Sequence, residues 1–235
     1  MRPILRFLSD EMIDRIVAEA RGLLCKLGVE VHNEAASRLL SDHGARIDAS
    51  ARRVFFREDL IDRALKAVPR GFKLYDVLGK EAVDLSGYNT SFTPGSAAIT
   101  LLDGATSRIR KPAASDYVRY AKLMARMDHI ASQSTAMIPS DVHERISDSY
   151  RLYLSLLHCE KPVVTGAFTI EAFEIMRDLQ LAVRGTRESL AARPLTVFSC
   201  CPTSPLTWSE ATASATTSAT TGGGILSSRD RKSVG

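Results

Sequence analysis

Strand-like and helical patterns alternate at a constant interval in the second half of this chain. Strand-like segments begin near Ile130 (IASQSTAMI), Pro162 (PVVTGAF) and Leu195 (LTVFSCC), and recur about every 32 residues with an amphipathic helix in each gap. This alternation is typical of βαβ units and predicts an α/β fold with parallel strands. A (β/α)8 barrel and an open doubly wound sheet both have repeats of this length. No GxGxxG or GxxxxGK[ST] sequence follows any of the strands, which disfavours the common nucleotide-binding sheets.

The region before the repeats has a different organisation. Residues 9–27 form an amphipathic helical pattern, with Ser9 as the predicted N-cap and Gly28 just after its end. Short strand and helix patterns follow, and Asn33 is the predicted cap of the second helix. We predict an N-terminal α+β extension over residues 1–90. The later Asp103-Gly104 pair predicts a hairpin, and Ser115 is the expected cap of the helix that follows it.

The first part of a barrel is predicted over residues 91–210, because a complete eight-unit barrel needs about 250 residues by itself. Residues 211–235 are rich in Ala, Ser, Thr and Gly and lack apolar periodicity, so they cannot bury a core. Two explanations fit this low-complexity tail: a natural disordered segment, or a segment read in the wrong frame after about Glu210. The second is favoured, and the expected architecture is a partial (β/α)8 TIM-type barrel.

Composition narrows the functional class. Charged residues make up 25% of the 235 residues and the net charge is +4, but basic and acidic residues are interspersed, which disfavours nucleic-acid binding. No apolar run is long enough to span a membrane or to act as a signal peptide. Four cysteines without CxxC spacing fit a reducing cytoplasm, and the five histidines have no HxxxH or HExxH spacing, so we predict no protein-bound metal.

Candidate site residues lie where the predicted strands end. In a parallel barrel, the loops after the strands' carboxyl ends form the catalytic face. Three such places carry small, polar or aromatic side chains: Ser140 and Asp141, then Phe168, then Thr203 and Ser204. The alternative is structural, since Ser, Thr and Asp in such loops often cap the next helix.

Four separated segments resemble the trimethylamine methyltransferase family, in the same order: VEVHNEAASRLLSDHGARID, TPGSAA, IPSDV with YRLYLSLLHCEKPVVTGAF, and CPTSPLTWSE. The resemblance covers about residues 5–210. It implies a (β/α)8 barrel that moves a methyl group from a methylated amine, such as trimethylamine or glycine betaine, to the cobalt of a separate corrinoid protein. The chain has no DxHxxG motif, so the corrinoid is expected on the partner and no cofactor on this chain.

The resemblance also suggests roles for the candidate residues. Asp141 would supply a negative charge, Phe168 an aromatic wall for a cationic amine, and the three hydroxyl residues would orient a substrate carboxylate. These hydroxyl residues are Ser140, Thr203 and Ser204. A homo-oligomer is compatible with the resemblance. Two alternatives stay open: a truncated, non-catalytic remnant of such an enzyme, and an unrelated barrel lyase.

Overall fold

A computed structural model describes residues 6–95, 97–167, 169–198 and 206–208 of the chain. The chain divides into two compact units. The described residues of the first unit are 6–68 and 206–208, and those of the second run from 69 to 198 with the gaps just given. None of the described helices is long and apolar enough to cross a lipid bilayer.

The described residues form seven helices and eleven short strands. The helices are α1 (Asp10–Lys26), α2 (Glu34–Asp42), α3 (Glu58–Ala67), α4 (Ala114–Ala125), α5 (Glu144–His158), α6 (Ile170–Arg184) and α7 (Arg187–Ala192). The strands are β1 (Val29–Val31), β2 (Arg46–Asp48), β3 (Arg53–Phe55), β4 (Lys73–Tyr75), β5 (Glu81–Asp84), β6 (Leu101–Leu102), β7 (Ile109–Arg110), β8 (Gln133–Ser134), β9 (Val163–Thr165), β10 (Thr196–Phe198) and β11 (Thr207–Trp208).

Helix α1 begins and ends where local signals predict. The Ser9 hydroxyl accepts a hydrogen bond from the Met12 amide, and Gly28 has a positive φ of 68° just beyond the helix. In the next helix the Asn33 side chain accepts from the Ala36 amide at 2.7 Å. These predicted caps are therefore confirmed, because each depends only on residues a few positions away.

The sheet of the first unit has the strand order β11-β1-β3-β2. Strands β1, β2 and β3 pair antiparallel, whereas β11 lies parallel to β1 and was not predicted. The unit's core is small and apolar, with Val54 fully buried at its centre. Its other buried members are Val29, Val31, Ala36 and Ala45, and Leu24, Leu40 and Trp208 pack against them.

The second unit contains the predicted parallel sheet. Strands β8, β9 and β10 lie side by side in sequence order and all pair parallel. Helix α5 connects the first two strands, and α6 with α7 connects the next two, as in consecutive βα units of a barrel. The α/β class is thus confirmed. Within the described part of the chain these strands form an open sheet and no closed barrel, so the complete barrel stays a prediction.

Two isolated bridges join Phe92 and Ala98 to residues that flank β8. Phe92 bridges Ile130 and Ala98 bridges Met137, both in the parallel sense. Ala98, in the TPGSAA motif, therefore lies beside the first predicted barrel strand. The hairpin predicted at Asp103-Gly104 is confirmed, since β6 and β7 pair antiparallel around that turn.

Candidate active site at the carboxyl ends of the parallel strands

The carboxyl end of β8 and the TPGSAA segment are joined by backbone hydrogen bonds. The Ala97 amide donates to the Thr135 carbonyl at 3.2 Å, and the Ala98 amide donates to the Ala136 carbonyl at 2.8 Å. The Ile138 amide returns a hydrogen bond to the Ala98 carbonyl at 2.9 Å. Two segments with family-like sequences thus form one edge of the predicted catalytic face.

Ala97 has an unusual backbone conformation at this edge. Its φ is +60°, in the left-handed region that residues with a Cβ atom seldom adopt. Such conformations cost about 1–3 kcal/mol and are concentrated at functional sites, where the surrounding structure fixes them. The hydrogen bond from Ala97 to Thr135 is one of the contacts that hold this conformation.

The loop of Ser140 and Asp141 is fixed against the start of α4. The Ser140 amide and hydroxyl both donate to the Pro112 carbonyl, at 2.8 and 3.0 Å. Asp141 Oδ1 accepts from the Ala114 amide at 2.8 Å, so Asp141 caps the preceding helix. Asp141 Oδ2 accepts no hydrogen bond from the described residues, and the residue is exposed.

Two capping interpretations made from the sequence were wrong. Ser140 and Asp141 do not cap the following helix α5, because His143 Nδ1 accepts from the Arg145 amide there. Ser115 does not cap α4, because this helix begins at Ala114 and its N-cap position is Ala113. A long-range acceptor, Asp141, instead satisfies the first amide of α4, and short-range capping rules cannot identify such a partner.

The other candidate residues, Phe168, Thr203 and Ser204, lie outside the described residues, and their roles stay predictions. At the turn after β9, Thr169 Oγ1 accepts from the Ala172 amide at 3.2 Å. The structural alternative for that turn is therefore confirmed for Thr169, which caps α6.

Buried hydroxyl groups lie below this edge, between α4, α5 and β8. The Tyr117 hydroxyl is 2.7 Å from the Ser155 hydroxyl, and the Tyr120 hydroxyl is 3.1 Å from the Ser134 hydroxyl. Ser134 in turn donates to the Gly95 carbonyl at 2.6 Å, which links the network to the TPGSAA segment. Burial raises the pKa of both tyrosines, so their hydroxyl groups stay protonated at neutral pH.

Helix α5 has a polar buried face, which the sequence analysis missed. Arg151 is 2% exposed, and its Nη1 donates to the Thr135 carbonyl at 3.0 Å. Its Nη2 donates to Asp148 Oδ1 at 2.5 Å, in an ion pair that is buried on both sides. The Thr135 carbonyl therefore accepts hydrogen bonds from both Arg151 and the Ala97 amide, so a buried charged side chain stabilises the edge of the site.

A signal for this polar layer is present in the sequence. Buried parallel strands are usually rich in Val, Ile and Leu, whereas residues 132–135 read Ser-Gln-Ser-Thr and all are buried. On α5, Ser147, Arg151 and Ser155 are spaced four residues apart and share one face. Three apolar residues of the same helix are instead exposed, namely Ile146, Tyr153 and Leu157.

An adjacent cleft of about 700 Å³ separates the β6–β7 hairpin from α4. Arg110 joins its walls, with Nε 2.7 Å from Asp103 Oδ2 and Nη1 2.7 Å from Asp116 Oδ2. Hydrogen bonds from Arg110 are the largest cause that lowers the pKa of each carboxyl group to about 2, from an ordinary value of 3.8. Both carboxylates are therefore charged throughout the neutral range and hold the hairpin on the helix.

We expect Arg110→Gln to lower the melting temperature at neutral pH, because it removes ion pairs with both carboxylates. The pKa of each carboxyl group is depressed in the folded state, so this stabilisation is present above the unfolded value of about 3.9. It is lost as the pH falls toward 2. The difference in melting temperature between variant and wild type should thus narrow from pH 5 to about pH 2.5. Arg108→Gln, in the same hairpin, is the matched control. A melting-temperature difference for Arg110→Gln that stays constant at all pH values would contradict stabilisation by these two ion pairs.

The fold and this edge together define an α/β protein with a candidate active site where parallel strands end. A family model described as trimethylamine methyltransferase (MTTB) matches residues 1–226. The chain therefore belongs to the trimethylamine methyltransferase family, as the sequence motifs indicated.

Two relatives from Desulfitobacterium hafniense are similar to the chain. It is 26% identical over 200 residues to trimethylamine methyltransferase MttB of strain DSM 10664 / DCB-2, and the match covers 84% of this chain and 40% of the relative. It is 24% identical over 211 residues to the glycine betaine methyltransferase of strain Y51, covering 88% of this chain and 43% of the relative. The match thus spans less than half the length of either relative.

Proposed function

We propose that this chain contributes the first βα units of an enzyme that transfers a methyl group from a methylated amine to the cobalt of a separate corrinoid protein. The observation that carries the proposal is the family match over residues 1–226. The names of the two relatives support trimethylamine and glycine betaine as the substrate candidates.

The chemistry of such an amine fits the groups at the site edge. The quaternary ammonium of glycine betaine has no N–H to donate, so carboxylates and aromatic faces recognise it through charge. Asp141 presents an exposed carboxylate with one oxygen, Oδ2, left available by its helix contact. Phe168 is the proposed aromatic wall, and Ser140, Thr203 and Ser204 are proposed to orient a substrate carboxylate. Because the Ser140 hydroxyl donates to the Pro112 carbonyl, it would have to give up that hydrogen bond before it could donate to a substrate carboxylate.

The proposed methyl acceptor is a corrinoid carried by a partner protein. The proposed docking surface is the set of loops that follow the parallel strands, including residues 139–142. The loop at residues 139–142 is held by Ser140 and Asp141, so a partner would meet a fixed surface there. A fixed loop at this surface favours methyl transfer, because the methyl carbon must be in line with the metal and shielded from water.

A methyl-transfer assay tests the proposal. The chain is incubated anaerobically with free cob(I)alamin and either trimethylamine or glycine betaine, and the formation of methylcobalamin is followed by absorbance. The glycine betaine methyltransferase of D. hafniense serves as the positive control. We expect transfer from one of the two amines. Amine binding without any transfer, measured by calorimetry, would instead support the non-catalytic alternative.

We predict that Asp141→Asn lowers the methyl-transfer rate at least tenfold, about 1.4 kcal/mol in barrier, while stability is nearly unchanged. Asparagine caps a helix about as well as aspartate, so only the charge toward the amine is lost. Asp141→Ala should lose the rate and also about 1 kcal/mol of stability. Thr186→Ala removes the cap of α7 and is the matched control for stability alone. A wild-type rate for Asp141→Asn would restrict Asp141 to its structural role.

A further inference from the structure

The TPGSAA segment at the site edge contains a residue whose conformation must be held by its neighbours. Ala97 has a φ of +60°, and a conformation of this kind persists only where surrounding contacts fix it. The Ala97 amide donates to the Thr135 carbonyl, which is a contact between two backbone groups. A second contact comes from a side chain, because the Ser134 hydroxyl donates to the Gly95 carbonyl at 2.6 Å. This side-chain contact lies two residues before Ala97 and can be removed by mutation.

A serine hydroxyl has one proton, which fixes the direction of the hydrogen bonds around Ser134. Its proton is used for the Gly95 carbonyl. The Tyr120 hydroxyl lies 3.1 Å from Ser134 Oγ, so Tyr120 must be the donor in that hydrogen bond. Burial raises the pKa of Tyr120, so its hydroxyl keeps this proton throughout the neutral range. The hydrogen bonds therefore run in one direction, from Tyr120 on α4 through Ser134 on β8 to Gly95.

The surroundings of Ser134 make its contact with Tyr120 important for the segment. Ser134 is fully buried, so bulk water does not replace a partner that it loses. A hydroxyl that accepts a hydrogen bond is polarised and becomes a stronger donor. The Tyr120 contact thus keeps the Ser134 side chain oriented toward Gly95 and strengthens that hydrogen bond. Tyr120 itself packs edge to face against Tyr117, with ring centroids 6.0 Å apart, which limits its movement.

We infer that Tyr120 is a positioning residue of the candidate active site, which acts through Ser134 to hold the TPGSAA segment in place. The inference rests on the proposed function in one respect, namely that the edge formed by this segment orients the amine. Its physical consequence, a fixed segment, can be measured on the chain without any substrate. When the Tyr120 hydroxyl is removed, we expect the segment to open locally while the rest of the second unit stays folded.

Amide hydrogen exchange of the full chain, measured residue by residue by NMR, tests the inference. Tyr120→Phe removes only the hydroxyl and should speed exchange of the Ala97 amide about fivefold, the factor expected for the loss of one hydrogen bond. The Val163 amide donates to the Leu195 carbonyl within the parallel sheet, so it reports on opening of the whole sheet. Its exchange should change less than that of Ala97.

Tyr117→Phe is the matched control for this change. Tyr117 lies on the same helix and is also buried, but its hydroxyl contacts the Ser155 hydroxyl and the Ser134 carbonyl rather than the Ser134 side chain. Any loss of stability in this variant should affect the sheet as a whole. The ratio of Ala97 exchange to Val163 exchange should therefore stay at its wild-type value or fall.

A double variant tests whether Tyr120 acts through Ser134. Ser134→Ala should speed Ala97 exchange at least as much as Tyr120→Phe does. The two changes combined should have no larger effect than Ser134→Ala alone, because they interrupt the same chain of hydrogen bonds. Additive effects of the two changes would overturn the inference, and so would Ala97 exchange that rises no more than Val163 exchange in Tyr120→Phe.

A kinetic measurement separates positioning from recognition of the amine. In the methyl-transfer assay, Tyr120→Phe should lower kcat about fivefold and leave KM for the amine nearly unchanged, because orientation is lost while the Asp141 charge is kept. An unchanged kcat together with faster Ala97 exchange would overturn the positioning role. If the wild-type chain transfers no methyl group, the proposed function fails, whereas the exchange measurements still decide whether Tyr120 holds the segment.

Discussion

Replacing Arg151 with methionine should lower the free energy of unfolding of the second unit by about 3–5 kcal/mol. The side chains of Arg151 and Asp148 are only 2% and 3% exposed, and their mutual hydrogen bond is 2.5 Å long. Methionine fills a similar volume but removes the buried ion pair with Asp148. It also removes a donor from the Thr135 carbonyl at the site edge. Urea unfolding followed by far-ultraviolet circular dichroism measures the loss.

A second variant separates the buried charge from simple loss of packing. Arg151→Met/Asp148→Leu removes both charges, and apolar replacement of a whole buried pair is often neutral or stabilising. The double variant should therefore regain most of the stability that the single variant loses. Arg151→Lys keeps a positive charge but cannot reach Thr135 and Asp148 with a rigid fork, so an intermediate loss is expected. A loss below about 1 kcal/mol for Arg151→Met would contradict a structural role for the pair.

Replacing Gly28 with alanine should destabilise the first unit by about 2–4 kcal/mol. Gly28 has a φ of +68°, and an added Cβ atom would lie 2.5 Å from the Val54 carbonyl oxygen. That oxygen belongs to β3, which pairs with β1 directly after the glycine, so the clash can be relieved only by moving the sheet. Unfolding followed by Trp208 fluorescence reports on this unit, because Trp208 packs against its core.

Gly44→Ala is the matched control for this prediction. Gly44 also has a positive φ, of 98°, but an added Cβ would meet only the end of the Arg63 side chain at 4.0 Å. It therefore measures the conformational cost alone, about 1–2 kcal/mol. If Gly28→Ala and Gly44→Ala lowered the free energy of unfolding equally, the close approach to the Val54 carbonyl would contribute nothing.

The sequence predicts the elements whose signals are local. The Ser9 and Asn33 caps and the Asp103-Gly104 hairpin are confirmed, since each depends on neighbouring residues. The order of β8, β9 and β10 also follows from the regular spacing of the βα units, because consecutive parallel strands with short connections lie side by side.

Long-range contacts were not predictable in the same way. Asp141 caps a helix 27 residues earlier in the chain, and no short-range pattern contains that information. The buried residues of α5 include polar ones, namely Ser147, Arg151 and Ser155, whose burial the apolar pattern of the helix does not indicate. Periodicity identifies two possible faces on such a helix, and only the partners on β8 decide which one faces inward.

The pairing of Glu30 with Thr207 has a consequence for the nascent chain. Strand β1 leaves the ribosome early, but its parallel neighbour β11 is made only after residues 69–198 of the second unit. At common rates of synthesis, about 5–20 residues per second, β1 waits roughly 10–35 s for this neighbour. During that interval one edge of β1 has unpaired backbone groups, which favour pairing with other chains. A holdase chaperone that covers this edge until Thr207 emerges would therefore raise the yield of folded protein.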